Sequence, residues 1–564
     1  MRLREGKVPE WLVFAGFAVL FAAVSFFHEP WYDEAQAWQI AKCASLTEIL
    51  LEIPHYEGHP ALWHLLLLAP AKLGVPFEPG LKLTAAVPSL LAAWLLLFRA
   101  PFPRPVRLLL PFQYFVFYQY GVVSRPYGLL LLALLLTAMT FGERDRRPWR
   151  FVLCLLLLCL TSAYGLLLAG GLCLCWVWDI GREYGWRPSR LLWRDRRLHG
   201  LLLLLAAALL ITAQILPAED TFAVSLEKSL SLPLRLLYTC VLMLPDALAF
   251  SLLDGDIFLA EASFPPGEVI PALFVGLILL GALFLLLSPR NRKYFFVPYG
   301  LLAVFMAMVY VTAHHIGVGA CFLLCLLWCD WREEERGAGW RALCARGWAT
   351  ERLRRILRGV SLAALGAFLL IPAYWTVSAS VSEVQHPYFY SRDAAAFLDR
   401  HGLSDAAIFF PWRVQIPDEG EDLYELMQTD MVGTCPALTA YYGHNIIANL
   451  NGGEDRLAYI THKLLTAEEN RENLKQWSRN GYPEVLFGSI NLVLMFGDKY
   501  GMARYAPVYR LDAWGNSIWK AQYFGEDSYN YNYLYVRRDL LEKYGLQEIE
   551  ADPALYRYAG FAAE

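Results

Sequence analysis

Apolar runs of near-spanning length follow one another from Trp11 to about Tyr374, which makes lipid the solvent for two thirds of the chain. A helix that crosses a bilayer needs roughly 20 apolar residues, sometimes about 17. Candidate spans fall at 11–27, 81–98, 107–123, 127–142, 151–162, 164–180, 200–217, 269–288, 295–313, 316–330 and 359–378. The stretch 151–180 breaks at Ser162-Ala163-Tyr164-Gly165, so two short helices are expected there. The first run follows Arg2, Arg4 and Lys7 but ends on His28-Glu29-Pro30-Trp31, with no small-residue cleavage site. It therefore reads as a retained anchor and not a signal peptide.

Beyond Tyr374 the pattern becomes that of a soluble domain. The chain as a whole is 57% hydrophobic and 18% charged, whereas soluble domains are nearer half apolar and a quarter charged. The residues 1–378 are expected to form the membrane domain and 379–564 an α/β domain in water. In the latter, helices are predicted over Ala394–His401, Pro436–Tyr442 and Thr466–Ser478. Strands are predicted over Ala407–Trp412, Asn445–Leu450, Glu484–Phe487, Val508–Leu511 and Tyr533–Val536. No basic tract interleaved with aromatics points to nucleic acid. Most of the eleven cysteines lie in apolar runs, where Cys acts as a small hydrophobe.

Orientation follows from the positive-inside bias of short loops. With the N-terminus in the cytoplasm, the cytoplasmic loops hold twenty-seven Lys and Arg, and the opposite loops hold five. An odd number of spans then puts the C-terminal domain outside. On that side lies the long loop 28–80, in which Glu34–Leu51 and Pro60–Leu73 have the look of helices lying along the interface. A second amphipathic stretch runs from Leu234 to Leu253.

Three outer motifs carry chemistry. Trp31-Tyr32-Asp33-Glu34-Ala35 puts adjacent carboxylates among aromatics at the edge of the membrane. Acids kept where desolvation is costly pair with a cation, a metal or a reacting proton. Either can serve as a general base or a ligand to a divalent ion. The bland alternative is that Asp33 caps the helix that follows, with Glu34 favouring its positive end. His55-Tyr56-Glu57-Gly58-His59-Pro60 sets Glu57 and His59 before a proline-started helix, a place for phosphate or metal, or else simply a polar loop. Ser124-Arg125-Pro126-Tyr127 places a cation on the side poor in positive charge, which invites an anionic partner unless Arg125 only snorkels to headgroups. His314 and His315 mark a further outer turn, with either a diphosphate contact or a plain polar role open to them. Asp220, Asp246, Asp254 and Asp256 also face outward and carry no distinctive pattern.

These motifs resemble those of the GT-C glycosyltransferases that use polyprenyl-phosphate sugars, in particular the protein mannosyltransferase and lipid A aminoarabinose transferase branches. The resemblance rests on Tyr32-Asp33-Glu34-Ala35, on Tyr56-Glu57-Gly58-His59-Pro60-Ala61-Leu62 and on Ser124-Arg125-Pro126-Tyr127. It covers roughly residues 11–378. It implies a helical polytopic bundle with interfacial helices, and inverting transfer of a sugar from a lipid phosphate to a glycan, lipid or protein acceptor. By resemblance Asp33 is the catalytic carboxylate, with Glu34 its neighbour. Glu57 and His59 would meet the acceptor or a metal, and Arg125, His314 and His315 the donor phosphate. Two departures stand out: Ala61 follows Pro60 where the family often has a second proline, and Ala313 stands where it often has arginine. A divalent ion held by Asp33, Glu57 and His59 is left open, and no cofactor is otherwise implied.

Two other functional classes compete. A flippase for lipid-linked glycan would carry internal repeats and charges near the midplane, whereas the ionisable residues here gather at the outer surface. An inactive glycan-binding scaffold differs only in what Asp33 does. The sequence contains no Asn-x-Ser/Thr sequon and its cytoplasmic loops are rich in Arg, which suggests a bacterial plasma membrane.

Overall fold

The computed structural model describes residues 8–186, 192–221, 230–253, 266–331, 333–345, 351–410, 412–415, 424–427, 434–463, 482–488, 503–513 and 530–550. The first anchor is α1 (Val8–Phe27), followed by a loop folded into α2 (Tyr32–Cys43), α3 (Leu46–Leu51), the short α4 (Pro54–Glu57) and α5 (Leu62–Lys72). The expected helix 34–51 is thus two helices, because Ser45 starts a new one: its hydroxyl accepts from Glu48 N at 3.2 Å and Glu48 Oε2 takes Ser45 N at 2.6 Å.

The membrane part continues with α6 (Phe77–Phe98), α7 (Arg104–Leu109), α8 (Tyr114–Phe117), α9 (Tyr127–Phe141), α10 (Pro148–Cys159), α11 (Ala163–Glu183) and α12 (Arg196–Ile215). It then runs through α13 (Leu232–Leu237), α14 (Met243–Leu248), α15 (Pro266–Leu286), α16 (Pro289–Met308), α17 (Gly317–Asp330), α18 (Ala338–Ala345) and α19 (Glu351–Gln385). Among the described residues, seven helical stretches are long and apolar enough to cross a membrane, and α9 and α10 are shorter apolar helices. The protein is a multi-pass membrane protein. The expected break after residue 160 is present, with Ser162 Oγ accepting from Gly165 N at 3.1 Å to start α11.

Two expectations need correction. The run 107–123 is not one span: α7 passes into a 3₁₀ turn at Leu110–Phe112, then α8, then a π turn at Tyr118–Val122. Pro111 removes a backbone donor, and the aromatic residues Tyr114, Phe117, Tyr118 and Tyr120 are all buried, so the broken segment is an internal filler. The last span does not end at 378, because α19 runs on to Gln385 and includes Glu383.

At the centre stands α9, whose Leu130, Leu131, Ala133, Leu134 and Leu135 are fully buried. A helix apolar on every side belongs inside a bundle, and α6, α10 and α17 pack around it.

The C-terminal region has α20 (Ser391–Arg400) and α21 (Thr434–Thr439). Its strands are β1 (Ile408–Phe409), β2 (Trp412–Gln415), β3 (Tyr424–Met427), β4 (Val485–Gly488), β5 (Tyr505–Ala513) and β6 (Asn530–Arg537). Four of them form a mixed sheet in the order β1-β4-β6-β5, with β1 and β4 parallel, and β2 pairs β3 separately. The expected strand 445–450 is reduced to a single bridge between Ile447 and Ile408. Asn449 and Asn445 are the reason: Asn449 exchanges side-chain bonds with the Phe410 backbone at 2.8 and 3.0 Å, and Asn445 Oδ1 takes Ile447 N at 3.0 Å. Such side chains offer the backbone an alternative to a ladder. The expected helix 466–478 lies outside the described residues, as do Asp254 and Asp256.

Tight packing at the start of α9 gives a direct test. A Cβ on Gly128 would lie 2.5 Å from the Tyr120 carbonyl oxygen, whereas one on Gly142 at the far end of α9 would meet nothing. Gly128→Ala is expected to cost about 1–3 kcal/mol of stability. Gly142→Ala should leave the thermal unfolding midpoint of the detergent-solubilised protein unchanged.

Candidate functional site

The site begins where α1 hands over to α2. Asp33 and Glu34 are neighbours in sequence, but the structure sends them to different places. Glu34 is fully buried. Its Oε2 accepts from the Trp31 backbone N–H at 3.1 Å and from His28 Nε2 at 3.0 Å, and its Oε1 takes the Ser124 backbone N–H at 2.5 Å. So Glu34, not Asp33, tethers the backbone at the start of α2. His28 in turn donates through Nδ1 to Glu383 Oε1 at 2.8 Å, and the Tyr118 hydroxyl donates to the same oxygen at 2.5 Å. Burial alone would push the imidazole of His28 down. The Glu383 and Glu34 carboxylates overcome that and raise its pKa to about 10, so a buried cation sits between two acids.

Asp33 points the other way and its side chain is 29% exposed. It forms an ion pair with Arg125 Nη1. Arg125 follows Ser124, the residue whose N–H Glu34 holds, so the two halves of the Asp33-Glu34 pair fix the same turn from two sides. The guanidinium also lies 5.9 Å from the Trp31 ring and 5.7 Å from the Tyr127 ring, within cation–π range.

Around this pair several buried polar atoms have no hydrogen-bond partner among the described residues: Trp31 Nε1, His59 Nδ1 and Tyr127 Oη. The His59 ring stands 6.5 Å from that of Tyr127. Buried polar groups are nearly always satisfied, so a cluster of unsatisfied ones next to a cation calls for an explanation. His314 and His315 close the wall behind them, their rings 6.1 and 5.7 Å from Tyr127. His315 Nδ1 accepts the Thr312 backbone N–H at 3.0 Å. A ring nitrogen that accepts an N–H carries no proton, so the proton of His315 resides on Nε2, a donor.

Glu57 is set apart from this cluster. Its Oε1 accepts from Gln36 Nε2 at 2.9 Å and faces His462 Nε2 at 3.3 Å. Burial would raise its pKa, but the hydrogen bond and charge of His462 dominate, with smaller help from His64 and Gln36, and lower it to about 2. Glu57 is therefore a fixed anion and not a proton acceptor near neutrality. Burial pushes His59 down and takes His64 down to about 4, with Glu57 pulling in the other direction. Gln36 also exchanges two bonds of 2.8 Å with the Ile460 backbone, joining α2 to the C-terminal domain. Among the described residues no group of three or more His, Cys, Asp and Glu is placed to hold a metal ion. The suggested set of Asp33, Glu57 and His59 is thus not assembled here. Tyr56 donates to Asp220 at 2.9 Å, and Asp246 is buried against the Leu252 and Leu253 N–H groups.

The sequence-predicted residues Asp33, Arg125, His59, His314 and His315 come together. His28, Glu383, Tyr118 and the polar edges of Trp31 and Tyr127 escape sequence reasoning. An acid near the end of the last apolar run was the available signal for Glu383.

Two solved structures are similar to this chain. ArnT from Cupriavidus metallidurans in the apo state has 15% identity and a TM-score of 0.42, over 87% of this chain and 95% of that one. Arabinosyltransferase EmbB from Mycobacterium smegmatis has 15% identity and a TM-score of 0.30, over 70% of this chain and 43% of that one. No family model matches the sequence, and no curated relative does.

The buried cation can be tested by pH. A group whose folded pKa is raised stabilises the fold fully below its unfolded value, near 6.5 for His, and loses that contribution as pH rises through the folded value of about 10. The unfolding midpoint should therefore fall between pH 7 and 10. His28→Gln should flatten this slope and cost about 3–5 kcal/mol near neutrality, the usual result of breaking a buried ion pair from one side.

Proposed function

We propose that the protein is a membrane glycosyltransferase. It would move a sugar from a polyprenyl-phosphate donor to an acceptor hydroxyl at the outer face of the membrane, with inversion, using Asp33 as general base. The observation that carries this reading is the set of unsatisfied donors, Trp31 Nε1 and Tyr127 Oη, gathered about Arg125 beside a partly exposed carboxylate. A phosphate has the charge for the guanidinium and enough lone pairs for the remaining donors. The rings of His315 and the buried His59 lie 5.7 and 6.5 Å from that of Tyr127.

Asp33 and Arg125 form an ion pair. When the donor phosphate engages Arg125, a carboxylate oxygen of Asp33 is released to accept a proton. The acceptor oxygen then attacks the anomeric carbon and its proton passes to Asp33. The bond from that carbon to the phosphate oxygen breaks, and the electron pair leaves on the phosphate, where Arg125 meets the growing charge. One displacement inverts the anomeric centre and needs no protein nucleophile. Glu34 takes no part in proton transfer on this reading and acts as a positioning residue, while Glu57, anionic and tied to Gln36, borders the acceptor side.

The test is incubation of the purified full-length protein with a panel of polyprenyl-phosphate sugars, reading release of the carrier phosphate. Asp33→Asn should lower the turnover by about 10²–10⁴-fold with donor affinity retained, the range for loss of a general base. Arg125→Lys should weaken donor binding, because a point charge replaces a bidentate fork. Carrier release by the wild type on no donor, or at the same rate by Asp33→Asn, would remove the base and leave a scaffold.

A further inference from the structure

A second feature lies on the opposite side of α2 from Arg125. A groove of about 1130 Å³ is lined by α1, α6, Trp38 of α2 and the residues Ala440–Gly443 that follow α21. Its shape follows from the two spans. At one end they are joined by aromatic rings, with Trp11 and Phe98 centroids 4.6 Å apart and Phe14 and Phe98 6.3 Å apart. Further along, small side chains, Ala18 and Ala22 on α1 and Ala86 on α6, line the groove and leave it open. The groove is flanked by Phe26 and Leu83, which face outward and are 75% and 67% exposed, as lipid-facing residues are.

The upper end of this apolar groove is cationic. Lys42, Lys82 and Arg392 line it, against one carboxylate, Glu78. Glu78 is shared: Lys82 Nζ lies 2.6 Å from its Oε2, Arg392 Nη2 2.7 Å from the same oxygen, and the Tyr441 hydroxyl 2.9 Å from Oε1. Lys42 donates to the Tyr442 carbonyl at 2.7 Å, a neutral partner. Glu29 stands behind Arg392 and takes its backbone N–H at 2.6 Å. Burial pushes Glu29 up to about 8 despite Arg392, so it brings less than a full charge near neutrality. Positive charge therefore exceeds negative at the rim, just above an apolar slot between two membrane spans.

We infer that this groove is a binding site for an anionic phospholipid, with one hydrocarbon chain lying between α1 and α6 and the phosphate at Lys42, Lys82 and Arg392. The occupant is set by both ends together: the slot needs a chain that is already in the bilayer, and the rim needs a negative headgroup at the level of the interface. A basic residue close to an acidic lipid is worth roughly a fivefold preference each. None of the residues that carry the proposed sugar transfer lines the groove, so the inference stands apart from that reaction.

The experiment is native mass spectrometry of the full-length protein released from detergent with phosphatidylglycerol or phosphatidylcholine of identical chains. Phosphatidylglycerol should be retained at least about fivefold better, and inorganic phosphate should fail to displace it. Lys42→Ala together with Lys82→Ala should abolish the preference. Ala22→Trp, which fills the slot from a lipid-facing position, should lower retention while leaving the unfolding midpoint unchanged, and it decides the matter if the lysine variant folds poorly. Equal retention of the two lipids by the wild type, or unchanged retention in Ala22→Trp, would overturn the site.

Discussion

A single buried cation organises the top of the membrane domain. His28 sits between Glu34 and Glu383, residues 349 positions apart in the chain, and each has one oxygen committed to it. Two carboxylates buried together would otherwise repel, and neither could keep its charge away from water. With the imidazolium between them, and with Tyr118, Trp31 N and Ser124 N supplying further donors, both carboxylates have hydrogen-bond partners inside the protein. The end of α1, the start of α2, the π turn at Tyr118–Val122 and the end of α19 are thereby tied into one unit.

That unit explains why two adjacent acids differ. In an α-helix, consecutive side chains point about 100° apart, so with Glu34 drawn inward to His28 and Ser124, Asp33 points elsewhere, to Arg125. The same bond from Glu34 to Ser124 N fixes the residue just before Arg125 and so sets the cation opposite Asp33. Glu34 is a clamp whose fixed geometry holds Asp33 and Arg125 in register.

Much of this was legible beforehand. Apolar length gave most of the membrane helices, the Ser162 break and the interfacial helix near Pro60, because hydrocarbon thickness and capping chemistry are local matters. The convergence of Asp33, Arg125, His59 and the His314-His315 turn was legible through motifs. What stayed hidden depends on contacts distant in the chain. No local pattern tells that His28 will meet Glu383, and hydropathy cannot distinguish a spanning run from the aromatic filler at 104–122, since both avoid water. The strand expected at Asn445–Leu450 failed because β-propensity ignores what Asn449 does with the Phe410 backbone.

Several links between the first loop and the C-terminal region are polar, and this bears on how the site is held. Gln36 pairs with the Ile460 backbone, Glu57 with His462, and Arg392 with Glu78 and Glu29. An apolar contact between them would slide at little cost, because dispersion has no preferred direction, whereas a side-chain amide that both donates to and accepts from one residue defines a register. Each of these bonds lands on the short stretch from Glu29 to Glu78 that also holds Asp33. The C-terminal domain is thus positioned to set the orientation of α2 about its axis. A rotation of one residue's worth would swing Asp33 away from Arg125 and force Glu34 out of its pocket, so the buried triad below and the polar clamps above select the same helix orientation.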